Sequence, residues 1–207
     1  MRCFVFLGGD GPSSADAIGM DAGDLAIAAD SGLDLARRLG VDPNHIVGDF
    51  DSVSRQELLD EYTHATIERF PADKDYTDAE LGVKKARYLG ANEVVLVGGG
   101  GGRIDHLLGL VALFERPDPP VRWITGAAEL LYVDRKRTVT GSPGELVSLF
   151  PLGTQPCRMR SRGLKWALDG LSWDRGDAGI SNEFANEEVE VEMITGRLLM
   201  VLPERTY

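Results

Sequence analysis

The sequence predicts an α/β fold for residues 1–126 and an all-β fold for residues 127–207. Three observations carry this reading. Short apolar runs alternate with amphipathic segments up to residue 120, the signature of a parallel sheet with crossover helices. Beyond that point helical periodicity stops and short β-like runs follow between Gly and Pro turns. Five consecutive glycines, residues 98–102, stand between a strand and a helix. The expected architecture is an N-terminal αβα domain around a parallel sheet, followed by a C-terminal β-sandwich.

Residues 2–7 are an apolar run closed by Gly8-Gly9 and read as a buried parallel strand. Residues 10–24, rich in Gly, Ser, Asp and Ala, read as a loop with room for a short helix. Residues 25–29 are the second strand, ending at Asp30-Ser31-Gly32. Ser31 is placed to cap the next helix, with Asp34 three residues on. Leu33, Ala36 and Leu39 form its apolar face and Gly40 ends it. Residues 45–47 are the third strand and lead into Gly48-Asp49-Phe50-Asp51-Ser52. Ser54 and Glu57 form a capping box for a helix running to about Tyr62.

Residues 66–70 are a short strand. A second capping box, Thr77 with Glu80, puts Asp78 at the first helical position. Leu81, Lys85, Ala86 and Leu89 share a stripe of that helix, which stops at Gly90. Residues 93–97 are strongly β-prone; the glycine run follows, then a helix bearing Leu107, Leu110, Val111 and Phe114. Residues 121–125 make one more strand. Later β-like runs fall at 130–133, 138–139, 145–150, 158–160, 188–194 and 197–202. The stretch Glu188-Val189-Glu190-Val191-Glu192-Met193 alternates strictly, so its acidic face is wet and its Val/Val/Met face buried. Segments 163–166 and 179–183 read as loops. No internal repeat is present.

The chain has 22 Lys and Arg against 33 Asp and Glu, a net charge of −11. Charge alone does not draw such a chain to a polyphosphate backbone, so no nucleic-acid partner is expected. Cys3 and Cys157 show neither C-x-x-C spacing nor a zinc pattern. The first apolar run is too short for a signal peptide, and no stretch approaches a membrane span. The expected setting is the cytoplasm, without a membrane partner.

Four strand exits carry acidic or glycine-rich segments: Asp30-Ser31-Gly32, Asp49 with Asp51, Asp73 with Asp75 and Asp78, and residues 98–105. In a parallel sheet these exits share one edge, where ligands bind. Each has an ordinary explanation alone. Asp and Gly are turn residues, Asp78 favours a helix N-terminus by about 0.3–1 kcal/mol, and a glycine run can be a linker. Together they point to phosphate held with a divalent cation. Backbone N–H groups of a glycine run approach phosphate closely. No Lys-Ser/Thr follows, so the run is not a Walker A loop, and Arg103 stands where a dinucleotide fingerprint needs its third glycine.

Arg103 can clamp a phosphate bidentately, with Lys74 as a second cation. Aspartates and a nucleoside triphosphate repel unless Mg²⁺ bridges them. In the second half, Trp166 of Gly163-Leu164-Lys165-Trp166 can stack on a flat heterocycle, although composition favours the core for Trp166 and Trp173. His45 and His64 read as incidental; His106, beside Asp105, is a weaker site candidate.

In order along the chain, Ala29-Asp30-Ser31-Gly32, Gly48-Asp49-Phe50-Asp51-Ser52, Asp73-Lys74-Asp75-Tyr76-Thr77-Asp78, residues 98–105, Gly163-Leu164-Lys165-Trp166 and Ser181-Asn182 resemble the motifs of the thiamine pyrophosphokinase (thiamine diphosphokinase) family. The resemblance spans most of the chain. It implies a transferase that converts ATP and thiamine to AMP and thiamine diphosphate with Mg²⁺. It also implies a homodimer with its sites at the subunit interface. Position by position, it implies that Asp49, Asp51 and Asp78 coordinate magnesium and that Arg103 and Asp105 sit at the reacting phosphates.

The same resemblance implies ATP contacts from Asp30, Ser31, Lys74, Asp75 and Thr77, and from Gly99, Gly100, Gly101, Gly102 and Arg103. Trp166, Ser181 and Asn182 match the thiamine end. The chain departs from the family pattern at Ser31-Gly32-Leu33-Asp34, where Gly-Gly-Ala-Asn is common, and at Lys74, where glutamine is frequent. Asp105 stays open among base, metal ligand and orienter of Arg103. Two other readings stand beside this one. One is a pyrophosphokinase acting on another hydroxyalkyl heterocycle, such as a pterin. The other is a non-catalytic nucleotide-binding module, which has no need of three acidic loops on one edge.

Overall fold

The structure, a computed structural model, describes residues 1–50, 58–71, 73 and 75–203. The chain divides into two compact units. The first holds strands β1 (Arg2–Leu7), β2 (Leu25–Ala29), β3 (His45–Gly48), β4 (Thr66–Arg69), β5 (Glu93–Gly98) and β6 (Arg122–Ile124). Its helices are α1 (Gly32–Arg38), α2 (Asp78–Tyr88) and α3 (Ile104–Leu113). The six strands pair in parallel in the order β6-β5-β1-β2-β3-β4. The chain moves outward from β1 through β2, β3 and β4, then returns to the other side of β1 for β5. The direction of winding therefore reverses between β1 and β5, and a crevice opens at the C-terminal ends of those two strands.

The central strands β1, β2 and β5 are apolar because both faces are covered. Cys3, Phe4, Val5, Phe6, Ile27, Val94, Leu96 and Val97 are wholly buried. Helix α2 packs so closely that a Cβ at Gly82 would strike Val5. Its capping box is formed: the Glu80 N–H donates to Thr77 Oγ1 at 3.2 Å and the Thr77 N–H donates to Glu80 Oε2 at 2.8 Å. Its buried face is Leu81, Gly82, Val83 and Ala86. Lys85 of the expected stripe is only half-buried and pairs with Glu68 of β4.

Ser31 does not cap α1. It has helical backbone angles and no side-chain capping bond. Its hydroxyl stands over Gly8, so close that a Cβ there would collide with it, and the next residue, Gly32, lies against the Phe6 carbonyl. Close packing of α1 on β1 has taken the place of a cap. Residues 10–24 hold turns and no helix. The Ser54–Glu57 capping box falls outside the described residues; Leu58 and Leu59 are helical and buried beside Ala28, Leu33, Ile46 and Phe50.

The second unit is built from β7 (Ala128–Val133), β8 (Lys136–Thr140), β9 (Leu146–Leu152), β10 (Cys157–Arg162), β11 (Ser172–Trp173), β12 (Gly179–Glu183), β13 (Glu188–Thr195) and β14 (Arg197–Pro203). Antiparallel pairing gives the orders β12-β9-β14-β7 and β11-β10-β13-β8. One core, including Leu131, Val147, Leu149, Met159, Val189, Val191 and Met200, draws on both groups of strands, as in a sandwich. Val189 and Val191 are wholly buried while Glu188 and Glu192 are exposed, as the alternation requires. Residues 179–183 read as a loop in the sequence, yet they form β12 on the edge beside β9. The register shifts between Gly179 and Asn182, where Ser181 takes a left-handed φ of 59°, so the alternation that marks a strand is broken.

Phe50 anchors the loop after β3: its ring is 1% exposed, Arg69 lies over it at 5.5 Å, and its own φ is 49°. Phe50→Ala is expected to cost about 3–5 kcal/mol of stability, measured by urea unfolding. A loss under about 1 kcal/mol would show that the ring contributes no packing.

Candidate active site

The crevice between the ends of β1 and β5 is closed by backbone. Asp10 N–H donates to Gly100 O at 2.8 Å, and Gly100 N–H donates to Asp10 O at 3.0 Å. The Trp123 indole N–H of β6, itself buried, donates to Gly98 O at 2.6 Å. The glycine run is therefore pinned at two points and is not a linker. Gly98, Gly99, Gly101 and Gly102 all have φ between 66° and 90°, a region that L side chains rarely enter. A Cβ at Gly98 would strike Leu7 O, and one at Gly101 would strike the Asp10 carboxylate.

On one side of this bridge lies a cavity of about 410 Å³. It brings together Asp30 and Ser31 from the end of β2, Thr77 and Asp78 from the start of α2, Gly99 from the glycine run, and Asp105 and His106 from the start of α3. Asp30 has a φ of 45°, and its N–H donates to Val47 O at 2.8 Å. That bond locks the β2 exit onto β3 and keeps the carboxylate at the sheet edge. Asp78 occupies the first turn of α2, where the helix dipole favours an anion. On the other side of the bridge a pocket of about 350 Å³ is lined by Asp10, Arg38, Gly100, Gly101 and Thr125.

The remaining expected residues are placed as follows. Asp49 is half-exposed, between buried Gly48 and buried Phe50. Asp75 and Gly102 are exposed and line neither cavity. Asp51 and Lys74 lie outside the described residues. The cavity also takes in Leu7 and Gly8 from the end of β1, and Gly109 and Leu110 from α3. Sequence reasoning passed over Gly8-Gly9 as a strand terminator. The signal was available, since the rule that ligands gather at strand exits applies to the first strand as well.

Arg103 and Asp105 are joined in a two-pronged ion pair. Nε donates to Oδ1 at 3.1 Å and Nη2 to Oδ2 at 2.5 Å, with both side chains exposed. The hydrogen bond from Arg103 holds the Asp105 carboxyl down at about 2, and the Arg103 guanidinium is raised in turn. A carboxylate so stabilised is a weak base. Among the described residues no three His, Cys, Asp or Glu side chains are grouped so as to hold a metal ion.

In the β unit, Trp166 is 53% exposed, whereas Trp173 is partly buried against the core. Composition is right for one and wrong for the other. Asn182 is only 5% exposed, and its amide is turned to the backbone of Trp166. Ser181 is exposed, and its N–H donates to Ser148 Oγ at 3.1 Å.

A parallel sheet with carboxylates and a pinned glycine turn at its switch-point crevice defines an α/β protein with a candidate ligand site at its strand exits. Comparison with known proteins gives the family. Residues 20–120 match the catalytic domain of thiamin pyrophosphokinase, and residues 132–198 match its vitamin B1 binding domain. The chain belongs to the thiamine pyrophosphokinase family. It is 25% identical over 190 residues to the thiamine pyrophosphokinase of Bacillus subtilis, covering 86% of each chain. It is 26% identical over 187 residues to thiamine pyrophosphokinase 1 of Arabidopsis thaliana, covering 83% of this chain and 70% of that one. The crystal structure of the Bacillus subtilis protein superposes with a TM-score of 0.83 at 21% identity, over 98% of this chain and 99% of that one. That of a thiamin pyrophosphokinase family protein from Enterococcus faecalis gives 0.81 at 26% identity, over 98% and 99%.

The Arg103–Asp105 pair sets a pH expectation. The folded pKa of Asp105 is depressed to about 2, below the usual aspartate value of about 3.9. Its contribution to stability is therefore present above about pH 4 and is lost as pH falls through about 2. Side-chain carbon NMR should show Asp105 titrating near 2 in the wild type and nearer 4 in Arg103→Gln. An unshifted wild-type titration would contradict the pairing.

Proposed function

We propose that the chain is a thiamine diphosphokinase, a transferase that moves the pyrophosphoryl group of ATP to the hydroxyethyl oxygen of thiamine. In this reaction the thiamine oxygen bonds to the β-phosphorus. The bond from that phosphorus to the α–β bridging oxygen breaks, and AMP leaves with the electron pair. The thiamine hydroxyl proton is released. The observation that carries the reading is the carboxylate-lined cavity at the sheet switch point, in a chain that matches both domains of one enzyme family. Residues 1–126 are the proposed catalytic domain for ATP and Mg²⁺, and residues 127–207 the proposed thiamine-binding domain.

The proposed ATP contacts are Asp30, Ser31, Lys74, Asp75, Thr77, Arg103 and the backbone of Gly99, Gly100, Gly101 and Gly102. Backbone N–H groups of a pinned glycine turn need no reorganisation when phosphate arrives. Arg103, held in plane by Asp105, presents charge toward the transferring group. In phosphoryl transfer such positioning supplies most of the catalysis.

Asp49, Asp51 and Asp78 are the proposed carboxylates for magnesium. Of these, Asp78 lines the cavity and Asp49 is half-exposed at the exit of β3; carboxylate oxygens are hard donors of the kind magnesium takes. Magnesium keeps several waters and takes one or two carboxylates plus substrate phosphates. When bound, it supplies charge neutralisation at the phosphate oxygens.

Trp166, Ser181 and Asn182 form the proposed thiamine end. A homodimer with its sites at the subunit interface is proposed as well. It is supported by Ile104 and Leu108, one turn apart on α3 and 72% and 64% exposed. A cytoplasmic setting is proposed too. Its support is two buried free cysteines, Cys3 and Cys157, and the lack, among the described residues, of a helix long and apolar enough to cross a membrane.

Incubation with ATP, Mg²⁺ and thiamine should yield AMP and thiamine diphosphate in equal amounts. ADP with a monophosphate, or AMP release independent of thiamine, would overturn the reading. Turnover of a hydroxymethylpterin in place of thiamine would favour the rival substrate. Asp49→Asn and Asp51→Asn should each lower kcat at least about 100-fold with the unfolding midpoint unchanged within error. Excess EDTA should abolish turnover, and Mg²⁺ should restore it.

A further inference from the structure

We propose that Asn182 and the Lys165–Glu183 pair are positioning residues that set the indole of Trp166 before the substrate arrives. The proposal rests on the reading of Trp166 as the thiamine platform. Its grounds are the hydrogen bonds that fix the Trp166 backbone and the paired cation that lies over its exposed ring.

The segment carrying Trp166 runs antiparallel to the end of β12. Leu164 bridges Phe184, and the Lys165 N–H donates to Glu183 O at 2.9 Å. At the next position the ladder changes character. The Trp166 N–H donates to Asn182 Oδ1 at 3.1 Å, and Asn182 Nδ2 donates to Trp166 O at 2.8 Å. A side-chain amide thus substitutes for the backbone of a strand and takes both backbone polar groups of Trp166. The Glu183 N–H donates to the same Oδ1 at 2.9 Å. Both acceptor sites of the Asn182 oxygen and one of its two N–H groups are used. With the residue 5% exposed, little of the amide is left for a ligand. Asn182 therefore acts through Trp166 rather than as a direct contact.

The indole itself is held from one face. Lys165 Nζ lies 4.6 Å from the ring centroid, within cation–π range. Both Glu183 carboxylate oxygens hold that ammonium, at 2.9 and 3.0 Å. An exposed tryptophan without such contacts samples several rotamers, and ordering one on binding costs side-chain entropy. Here the backbone of Trp166 is fixed by Asn182, and one face of its ring is covered by the lysine. The opposite face is the one presented to a flat ligand. Ser181, left-handed and bonded to Ser148 Oγ, makes the bend that turns Asn182 inward.

The test is a double-mutant cycle on the full-length enzyme with ATP, Mg²⁺ and thiamine. Asn182→Leu keeps the side-chain shape and removes the three hydrogen bonds. It should raise the KM for thiamine about tenfold while changing the KM for ATP less than about twofold. In a Trp166→Ala background, Asn182→Leu should add less than about a twofold effect, because its target is gone. Lys165→Met, at an exposed position, is the second variant should Asn182→Leu fail to fold. It should raise the KM for thiamine about threefold, again only when Trp166 is present.

Equal losses in both backgrounds would show direct ligand contact and overturn the proposal. So would a parallel rise in the KM for ATP, which marks a merely structural role. A different result separates the underlying reading. If Trp166→Ala leaves the thiamine KM unchanged, or if the wild type does not turn over thiamine, Trp166 is not the platform and the proposal falls with it.

Discussion

The close approach of two chain segments, the exits of β1 and β5, is the constraint on which the rest of the first unit depends. Two backbone hydrogen bonds between Asp10 and Gly100 tie them together. That contact leaves no room for side chains. Gly98 sits on the Leu7 carbonyl, with Leu35 of α1 packed against it, and Gly101 sits on the Asp10 carboxylate. The glycine run is thus a consequence of the sheet's reversal of winding. Strands on opposite sides of the switch point send their chains apart, and a crevice remains where backbone N–H groups can face a ligand.

Carboxylates at such a crevice repel one another, so each has to be held by something other than attraction to its neighbours. Asp30 is held by the bond from its N–H to Val47 O, and Asp78 by a capping box and a helix dipole. Asp49 is held through the next residue, because Phe50 is buried and drags the loop into the core. Asp105 is paired with Arg103. In a chain with a net charge of −11, the aspartates at the strand exits are thus held by separate elements of the fold.

In the β unit the same economy appears in a different form. Alternation in β13 buries Val189 and Val191 against the shared core, which is packing without chemistry. The residues proposed for the thiamine end include those where alternation fails, at the register shift in β12. There Ser181 takes a left-handed backbone and Asn182 turns inward. Broken periodicity hid the strand from sequence reasoning and at the same time created the support for Trp166.

The sequence by itself determined the alternating architecture of the first 120 residues. It also determined the all-β character of the rest, the Thr77–Glu80 capping box and the acidic strand exits. These follow from periodicity and local hydrogen bonding, which need only neighbours in sequence. The motifs were also sufficient for the family. Tertiary structure decided what depends on partners far along the chain. It decided that Ser31 leans on Gly8 rather than capping α1, and that Trp166 is exposed while Trp173 is not. It decided that the Asn182 amide meets the Trp166 backbone, and that Gly8 and Asp10 belong to the crevice. Each outcome is set by which distant backbone comes within van der Waals or hydrogen-bond range, and no local pattern encodes that.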